Sequence, residues 1–153
     1  MIVFEVLGTP APKGSSRAFI NKATGRAFVA PGGAKSTEKK IANWNAAVRE
    51  RALEAIGERA EPVYIGKPIS VEIVFGMSRP ASHWSKKANG GLLPSAPIAP
   101  GTKPDIDKLA RTTLDALTGL AFDDDSRIVK LVCTKKYALP GHEGARITIS
   151  EWT

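Results

Sequence analysis

Residues 103–127 read KPDIDKLARTTLDALTGLAFDDDSR, and this stretch predicts a helix that carries carboxylates. Five apolar side chains and one threonine recur at i, i+3, i+4 and i+7, the spacing of one buried helical stripe: Ile106, Leu109, Ala110, Thr113, Leu114 and Leu117. The helix is expected to begin near Asp105 and to stop at Gly119. Asp107, Arg111 and Asp115 then lie on the opposite, polar face.

The acidic residues of this window contrast with the charge of the chain as a whole. Lys and Arg number 22 against 15 Asp and Glu, which gives a net charge of +7. A basic chain that gathers carboxylates in one place is typical of a protein that binds a polyanion and holds a divalent ion within that binding site. The charge fits a nucleic-acid partner without proving one.

Asp105 and Asp107 are candidate metal ligands at the first turn of the helix. The positive end of the helix dipole stabilises ionised carboxylates there, and Mg²⁺ favours one or two carboxylates with water and phosphate oxygens as its other ligands. Two structural alternatives stay open. Asp105 can be a plain helix N-cap, and Asp107 can form an ordinary surface pair with Arg111.

A second acidic group, Asp123-Asp124-Asp125, follows the helix and precedes a strand-like run. A helix–turn–strand hairpin can bring this turn back toward the helix. Three adjacent aspartates repel one another, so we expect a metal ion or nearby Lys and Arg to compensate them. Two histidines and one cysteine make no zinc set, and there is no Gly-rich phosphate loop.

The same residues resemble a known family. The segments 103–109, 114–117 and 122–126 are similar to those of the RusA Holliday-junction resolvases of bacteria and their phages, and the resemblance extends more loosely to residues 12–17, to 79–83 and to Lys86-Lys87. It implies a magnesium-dependent homodimer, with Mn²⁺ able to substitute, that nicks four-way DNA junctions in recombination and repair.

The resemblance also assigns roles to residues of this chain. The three essential aspartates of the family fall on Asp105, Asp107 and Asp125, with Asp124 as an alternative ligand. Arg111 stands where family members often carry a lysine, and it can neutralise a phosphate but cannot act as a proton donor. We expect the DNA to be contacted by six cations: Lys13, Arg17, Lys86, Lys87, Lys103 and Lys108.

The rest of the chain predicts an α/β (α+β) fold in which a small mixed sheet packs against two main helices. We expect one domain over residues 1–153. Strands are predicted at 2–7, 69–75, 127–137 and 145–152, and a small hairpin at 18–20 and 27–29. A helix is predicted at about 36–56, with six residues facing inward: Ile41, Trp44, Val48, Ala52, Ala55 and Ile56.

Residues 76–104 form a long Gly-, Pro- and Ser-rich stretch. We interpret it as a mobile clamp over DNA, or alternatively as an insertion without function. No signal peptide or membrane-spanning run is present, so a cytosolic protein is the expectation. The family resemblance implies that its cytoplasm is bacterial and that the host or a phage encodes it.

The sequence therefore predicts a Mg²⁺-dependent endodeoxyribonuclease for branched DNA. Two alternatives remain. One is a nuclease of the Pro-Asp…Asp/Glu-x-Lys type, which Pro104-Asp105 would begin but which no Asp/Glu-x-Lys completes on the strand. The other is a non-catalytic protein that keeps the fold and binds branched DNA without cutting it.

Overall fold

A four-stranded mixed sheet and two helices form the body of the molecule. The structure, a computed structural model, describes residues 1–14, 20–28 and 35–153 in full and residues 17–19 and 29–30 by their backbone alone. Its elements in chain order are β1 (Ile2–Leu7), β2 (Arg17–Ile20), β3 (Ala27–Ala30), α1 (Lys35–Ile56), β4 (Ile69–Met77), α2 (Ile106–Leu117), β5 (Ile128–Tyr137) and β6 (Gly144–Glu151).

The strand order of the sheet is β1-β6-β4-β5, with β2 and β3 forming a separate antiparallel hairpin. β6 pairs antiparallel with both β1 and β4, whereas β5 pairs parallel with β4. The strands β1, β4 and β5 therefore run in one direction, and their carboxyl ends lie at the same edge of the sheet. β5 is the last strand in the order, so its outer side has no strand partner among the described residues.

One face of the sheet is buried and the other is open. Side chains alternate along the strands, so the inward residues of three strands make a continuous apolar layer: Phe4 and Val6, Val71, Ile73 and Phe75, and Ile147 and Ile149. The helices cover this layer. Trp44 of α1 donates its indole N–H to Thr113 Oγ1 of α2 at 3.1 Å in the buried space between the helices.

The helix α2 has the stripe that the sequence predicts. Leu109, Ala110, Thr113 and Leu117 are buried, while Asp107, Arg111 and Asp115 are exposed. The helix ends before Gly119, whose φ of +82° lies in the left-handed region that glycine adopts without strain. Its amide donates to the carbonyl of Phe122 and starts the turn toward β5.

The predicted fold class is confirmed, and every predicted strand and helix is present within two residues of its expected bounds. Two details were wrong. Ala55, expected to face inward on α1, is exposed. The contacts with the core follow an i, i+4 line through Trp44, Val48, Ala52 and Ile56, and this line turns slowly around the helix axis, which leaves Ala55 outside it. The strand β4 runs on to Met77, because its last residues pair with β5 as far as Tyr137.

The segment between β4 and α2 has local structure of its own. A short 3₁₀ turn spans Ala81–His83, and Trp84 forms an antiparallel bridge with Leu92. Arg79 donates to the carbonyl of Pro97 at 2.8 Å. The predicted mobility of this segment therefore stays a prediction. Neither helix of the described chain is both long and apolar enough to cross a bilayer.

Candidate active site

Asp105 and Asp107 lie at the amino end of α2 with their carboxylates accessible. Asp105 occupies the N-cap position in an extended conformation, but its side chain accepts no capping hydrogen bond. The nearest cation to it is Lys108, whose Nζ lies 3.3 Å from Asp105 Oδ2. Asp107 is exposed, and no hydrogen bond or ion pair engages its side chain within the described chain. Asp105 thus holds the N-cap position that the structural alternative gave it but makes no capping hydrogen bond, which leaves oxygens of both carboxylates available to a ligand.

Lys135 fixes the segment that precedes these carboxylates. Its Nζ donates to the carbonyls of Thr102 and Pro104, each at 2.8 Å, and Pro104 is joined to Asp105. The ammonium group thereby ties the carboxyl end of β5 to the amino end of α2. Sequence analysis did not single out Lys135, because a lysine on a strand gives no sign of which carbonyls it will meet.

Arg111 lies one helical turn after Asp107 and is exposed on the same face. The surface pair expected as an alternative does not form, since none of the described ion pairs joins Arg111 to Asp107. Asp115, a turn further on, is instead bound by Lys13 at 2.6 Å. The guanidinium of Arg111 is therefore available to an anion.

The acidic turn at residues 123–125 uses two of its three carboxylates for its own structure. Arg127 binds Asp123 with its Nη2 at 3.1 Å from Oδ2, and this hydrogen bond is the largest cause that holds the pKa of Asp123 below its usual value. Asp124 accepts the amide N–H of Ser126 at 2.8 Å and so caps a short 3₁₀ turn. Hydrogen bonding to Ser126 likewise lowers the pKa of Asp124.

Asp125 is the remaining carboxylate of that turn. It begins the 3₁₀ turn Asp125–Arg127, is exposed, and has no hydrogen bond or ion pair on its side chain in the described part of the chain. The repulsion expected among three aspartates is therefore relieved by Arg127 and by the capped amide. Of the two candidate ligands here, Asp125 is the one whose oxygens are not already engaged.

The three predicted aspartates do not converge within one chain. The 12 residues of α2 separate Asp105 from the acidic turn, a length of about 18 Å. Lys135, beside Asp105, lies roughly 23 Å along β5 from Ile128, which follows the turn. Asp105 and Asp107 thus lie at one end of the α2–β5 layer and Asp125 at the other. Across the described ranges, no three His, Cys, Asp or Glu side chains form a group that could hold a metal ion.

The hairpin expected to bring the acidic turn back to the helix does form, but it returns the turn to the carboxyl end of α2. The bridge between Thr118 and Phe122 keeps the turn there. β5 then runs back toward the amino end of α2, so Lys135 lies close to Asp105 and far from the acidic turn. The order of elements along the chain, and not the charge pattern, therefore decides which carboxylates lie together.

The predicted DNA-binding cations have different surroundings. Lys103 is exposed beside Asp105 with no bound partner among the described residues, and Lys86 and Lys87 are exposed in the turn after Trp84. Lys108 and Lys13 are engaged by Asp105 and Asp115. The side chain of Arg17 lies outside the described atoms, as do Ser15 and Ser16 of the same loop.

Comparison with known proteins identifies a family and a relative. A family model described as endodeoxyribonuclease RusA matches residues 10–150, nearly the whole chain. A protein of Bacillus subtilis (strain 168), named "Uncharacterized protein YqaN", is 32% identical over 87 residues, which are 57% of this chain and 61% of that protein. The chain therefore matches less than two thirds of the length of that relative.

Proposed function

The chain belongs to the RusA endodeoxyribonuclease family, and on that premise we propose that it is a Mg²⁺-dependent endonuclease that nicks four-way (Holliday) DNA junctions by phosphodiester hydrolysis. The observation that carries the proposal is the pair of accessible carboxylates, Asp105 and Asp107, beside unpaired cations on a chain of net charge +7. Its work would be the recombination and repair of DNA in a bacterial cytoplasm, on host or phage DNA.

The residues present suit a hard divalent cation. Asp105 has no capping bond and Asp107 no partner in the described chain, so both can offer oxygens without breaking local structure, apart from the weak, half-exposed contact with Lys108. Mg²⁺ usually takes one or two carboxylates and completes its shell with water and substrate phosphate. When bound, the ion would supply an activated water and charge stabilisation at the scissile phosphate.

The chain's own cations would orient the substrate. Arg111 would direct its guanidinium at the non-bridging oxygens of the scissile phosphate, where fixed positive charge stabilises the transition state. Lys103 would bind an adjacent phosphate of the same strand, because it lies next to Asp105 and has no competing partner in the described chain. Lys135 would act as a positioning residue through the carbonyls of Thr102 and Pro104.

A second copy of the chain would complete the site. Asp125 lies too far from Asp105 to share an ion with it, yet β5 offers an open edge with three exposed apolar residues, Val129, Leu131 and Val132. Such an edge strand is a template for pairing with another chain. Two β5 strands paired antiparallel about a two-fold axis bring the amino end of each beside the carboxyl end of the other.

This pairing brings Asp125 of the partner subunit toward Lys135 and hence toward Asp105 and Asp107. The homodimer would carry two such composite sites, one for each of two opposed strands of a junction, because the junction itself can have two-fold symmetry. The proposal thereby accounts for an accessible Asp125 at the far end of the layer from the other two carboxylates.

A gel assay tests the activity. Labelled four-way junction and linear duplex of the same arms are incubated with the protein in Mg²⁺, in Mn²⁺ and in EDTA. We expect paired nicks near the branch in either metal, none in EDTA, and little cutting of the duplex. Junction binding without cleavage at any metal concentration would contradict the enzyme and favour the non-catalytic alternative, in which Arg111 and the Lys108–Asp105 contact would mark an inactive site.

A further inference from the structure

A cavity of about 330 Å³ opens beside the candidate active site, at the edge of the sheet where β1, β4 and β5 end. Small-molecule pockets in proteins begin at about this volume. Five segments of the chain meet there, and the one that contains Pro100 and Pro104 leads directly into Asp105. Much of the wall is rigid and apolar, from five proline rings and one phenol: Pro10, Pro12, Pro80, Pro100, Pro104 and Tyr137.

Every charged residue that lines the cavity is a lysine. Lys40 comes from the second turn of α1, Lys103 from the segment before α2, and Lys135 from β5, and no carboxylate lines it in the described chain. Lys135 is held by two carbonyls. Lys40 and Lys103 have neither ion pair nor hydrogen bond to any described residue. The cavity therefore presents two uncommitted positive charges, which a ligand with negative charge would satisfy.

Two neighbouring side chains hold the Tyr137 ring in place. The Arg79 guanidinium lies 4.1 Å from the centre of the Tyr137 ring, and the His83 ring meets that ring edge-on at 5.6 Å. Arg79 is itself fixed by the Pro97 carbonyl. A ring held this way offers a preformed surface to a flat ligand, with little ordering cost on binding.

Hydroxyl groups complete the lining. Thr9, Thr37, Ser78 and Thr102 each come from a different segment and supply hydrogen-bond donors and acceptors. A ligand that matches the whole cavity is flat and largely apolar, carries a hydrogen-bonding edge, and bears negative charge. A nucleotide has these three properties together, and stacking with polar edge contacts is how proteins bind unpaired bases.

We propose that this cavity binds one nucleotide turned out of the base stack at the branch of the DNA substrate, with its phosphate at Lys40 and Lys103. The inference rests on the proposed function for the source of the nucleotide. Turning a base out costs less where the base stack is already interrupted, as it is at the branch of an opened four-way junction. The cavity would thus select branched DNA and position the neighbouring phosphate at Asp105 and Asp107.

The test uses 2-aminopurine, a base whose fluorescence rises when it leaves the stack. One probe is a four-way junction carrying it at the branch, bound in EDTA; the other is free 2-aminopurine deoxyribonucleoside 5′-monophosphate. Thr37→Phe fills the cavity and Ser36→Phe is its control, one residue away and not in the lining. Lys40→Gln and Lys39→Gln form a second pair, and each removes one exposed positive charge from α1.

We expect wild-type protein and both control variants to raise the emission of the bound junction, and Thr37→Phe to bind the junction without the rise. Lys40→Gln should weaken binding of the free nucleotide by about 10-fold and Lys39→Gln by less than about 2-fold. Equal effects of the two lysine variants, or an undiminished rise with Thr37→Phe, would overturn the proposal.

The two proposals fail in different ways. Normal junction cleavage with an unchanged fluorescence response in Thr37→Phe would overturn the nucleotide cavity and leave the nuclease standing. If wild-type protein binds no junction, the proposed function fails. Binding of the free nucleotide then tests the cavity alone. Saturable binding that Thr37→Phe abolishes would support a cavity that binds small nucleotides, and the absence of binding would overturn the nucleotide cavity.

Discussion

The two acidic regions of this molecule, the amino end of α2 and the turn at residues 123–125, contain the same residue type but use it differently. In the turn, Arg127 binds Asp123 and the amide of Ser126 binds Asp124, so two of three carboxylates serve local structure. At the helix end, the side chain of Asp105 makes no capping hydrogen bond, and the side chain of Asp107 has no partner within the described residues. A carboxylate is available for chemistry when its neighbours do not use it.

The comparison also separates the predicted ligands by position. Asp105 and Asp107 share one end of the α2–β5 layer and Asp125 lies at the other, so proximity in sequence does not translate into one site. In the proposed homodimer, one end of this layer lies against the other end of a second copy, and the three free carboxylates then meet. Four changes test this distinction, from the largest expected effect to the smallest.

Removing a free carboxylate should abolish cleavage. Asp105→Asn, Asp107→Asn and Asp125→Asn should each lower the single-turnover rate on a four-way junction by on the order of 10³ or more, because several kcal/mol of transition-state stabilisation would depend on the ion that we propose they hold. Asp123→Asn and Asp124→Asn, one or two residues from Asp125, should cleave within about 5-fold of wild type, since those carboxylates serve the turn.

Circular dichroism checks that the variants fold, and junction binding in EDTA checks that they still meet the DNA. If Asp124→Asn is as inactive as Asp125→Asn, the local hydrogen bond is not what distinguishes the two residues. Wild-type rates in all of the first three variants would remove the metal site altogether.

Substitution of Arg111 should cause the next largest loss of cleavage rate. Arg111→Ala should cost on the order of 10²–10³ in cleavage rate, the range for losing one donor to transition-state charge. Arg111→Lys should retain activity, because lysine keeps the positive charge and adds the option of proton transfer. Single-turnover cleavage measures both, and a wild-type rate for Arg111→Ala would show that its exposed guanidinium takes no part.

Replacing Lys135 should lower the cleavage rate less, and only indirectly, through the position of Asp105. Lys135→Met removes the two bonds to Thr102 and Pro104, so Asp105 should lose its position and the rate should fall by about 10–100-fold, as misplacement near 1 Å does elsewhere. Lys136→Met removes the same charge from the next residue, which makes no such bonds. Equal losses in the two variants, or a lower affinity for DNA with an unchanged rate, would assign Lys135 to simple charge attraction.

The acidic turn should show its structural role in acid stability. The pKa of Asp123 is lowered in the fold, so its contribution is fully present above the unfolded value of about 3.9 and is lost as pH falls through the folded value. Asp123→Asn should therefore lower the thermal midpoint slightly at pH 7 and not at all well below the folded pKa. Thermal unfolding followed across pH 2–7 measures this, and a gap that widens as pH falls would contradict the assigned bond.

Periodicity was sufficient to predict most of the fold. The stripe of α2, the alternating strands and the stop at Gly119 depend on neighbours within a few residues, so the sequence alone specifies them. The prediction for Ala55 on α1 was wrong because the buried line of this helix follows i, i+4 spacing through Ala52 and Ile56, and periodicity alone does not show on which side of that line Ala55 lies. The course of β4 through Met77 depends likewise on a partner strand about 60 residues away.

The candidate site was predictable only in its parts. The Asp-x-Asp pattern of Asp105 and Asp107 identifies a pair of carboxylates. Its position at the start of a helix follows from the helical spacing of the buried residues that come after it. Which of the aspartates at 123–125 is free depends on Arg127 and on a capped amide, and the role of Lys135 depends on carbonyls 31 and 33 residues away. The contacts of Lys135 are long-range and leave no mark in the local pattern, whereas those of Asp123 and Asp124 are local but depend on the exact conformation of the turn. The choice of Asp125 therefore came from the family resemblance and not from the residues of the turn.

The central claim is that each active site takes Asp105 and Asp107 from one chain and Asp125 from the other, and subunit mixing tests it directly. Inactive Asp105→Asn and inactive Asp125→Asn proteins are mixed, allowed to exchange subunits, and assayed on the junction. Composite sites predict recovery of about a quarter of wild-type active sites, because half of the dimers are mixed and each mixed dimer has one intact site of two. A mixture of Asp105→Asn with Asp107→Asn should stay inactive. No recovery in the first mixture, with exchange verified by two differently tagged chains, would contradict the account.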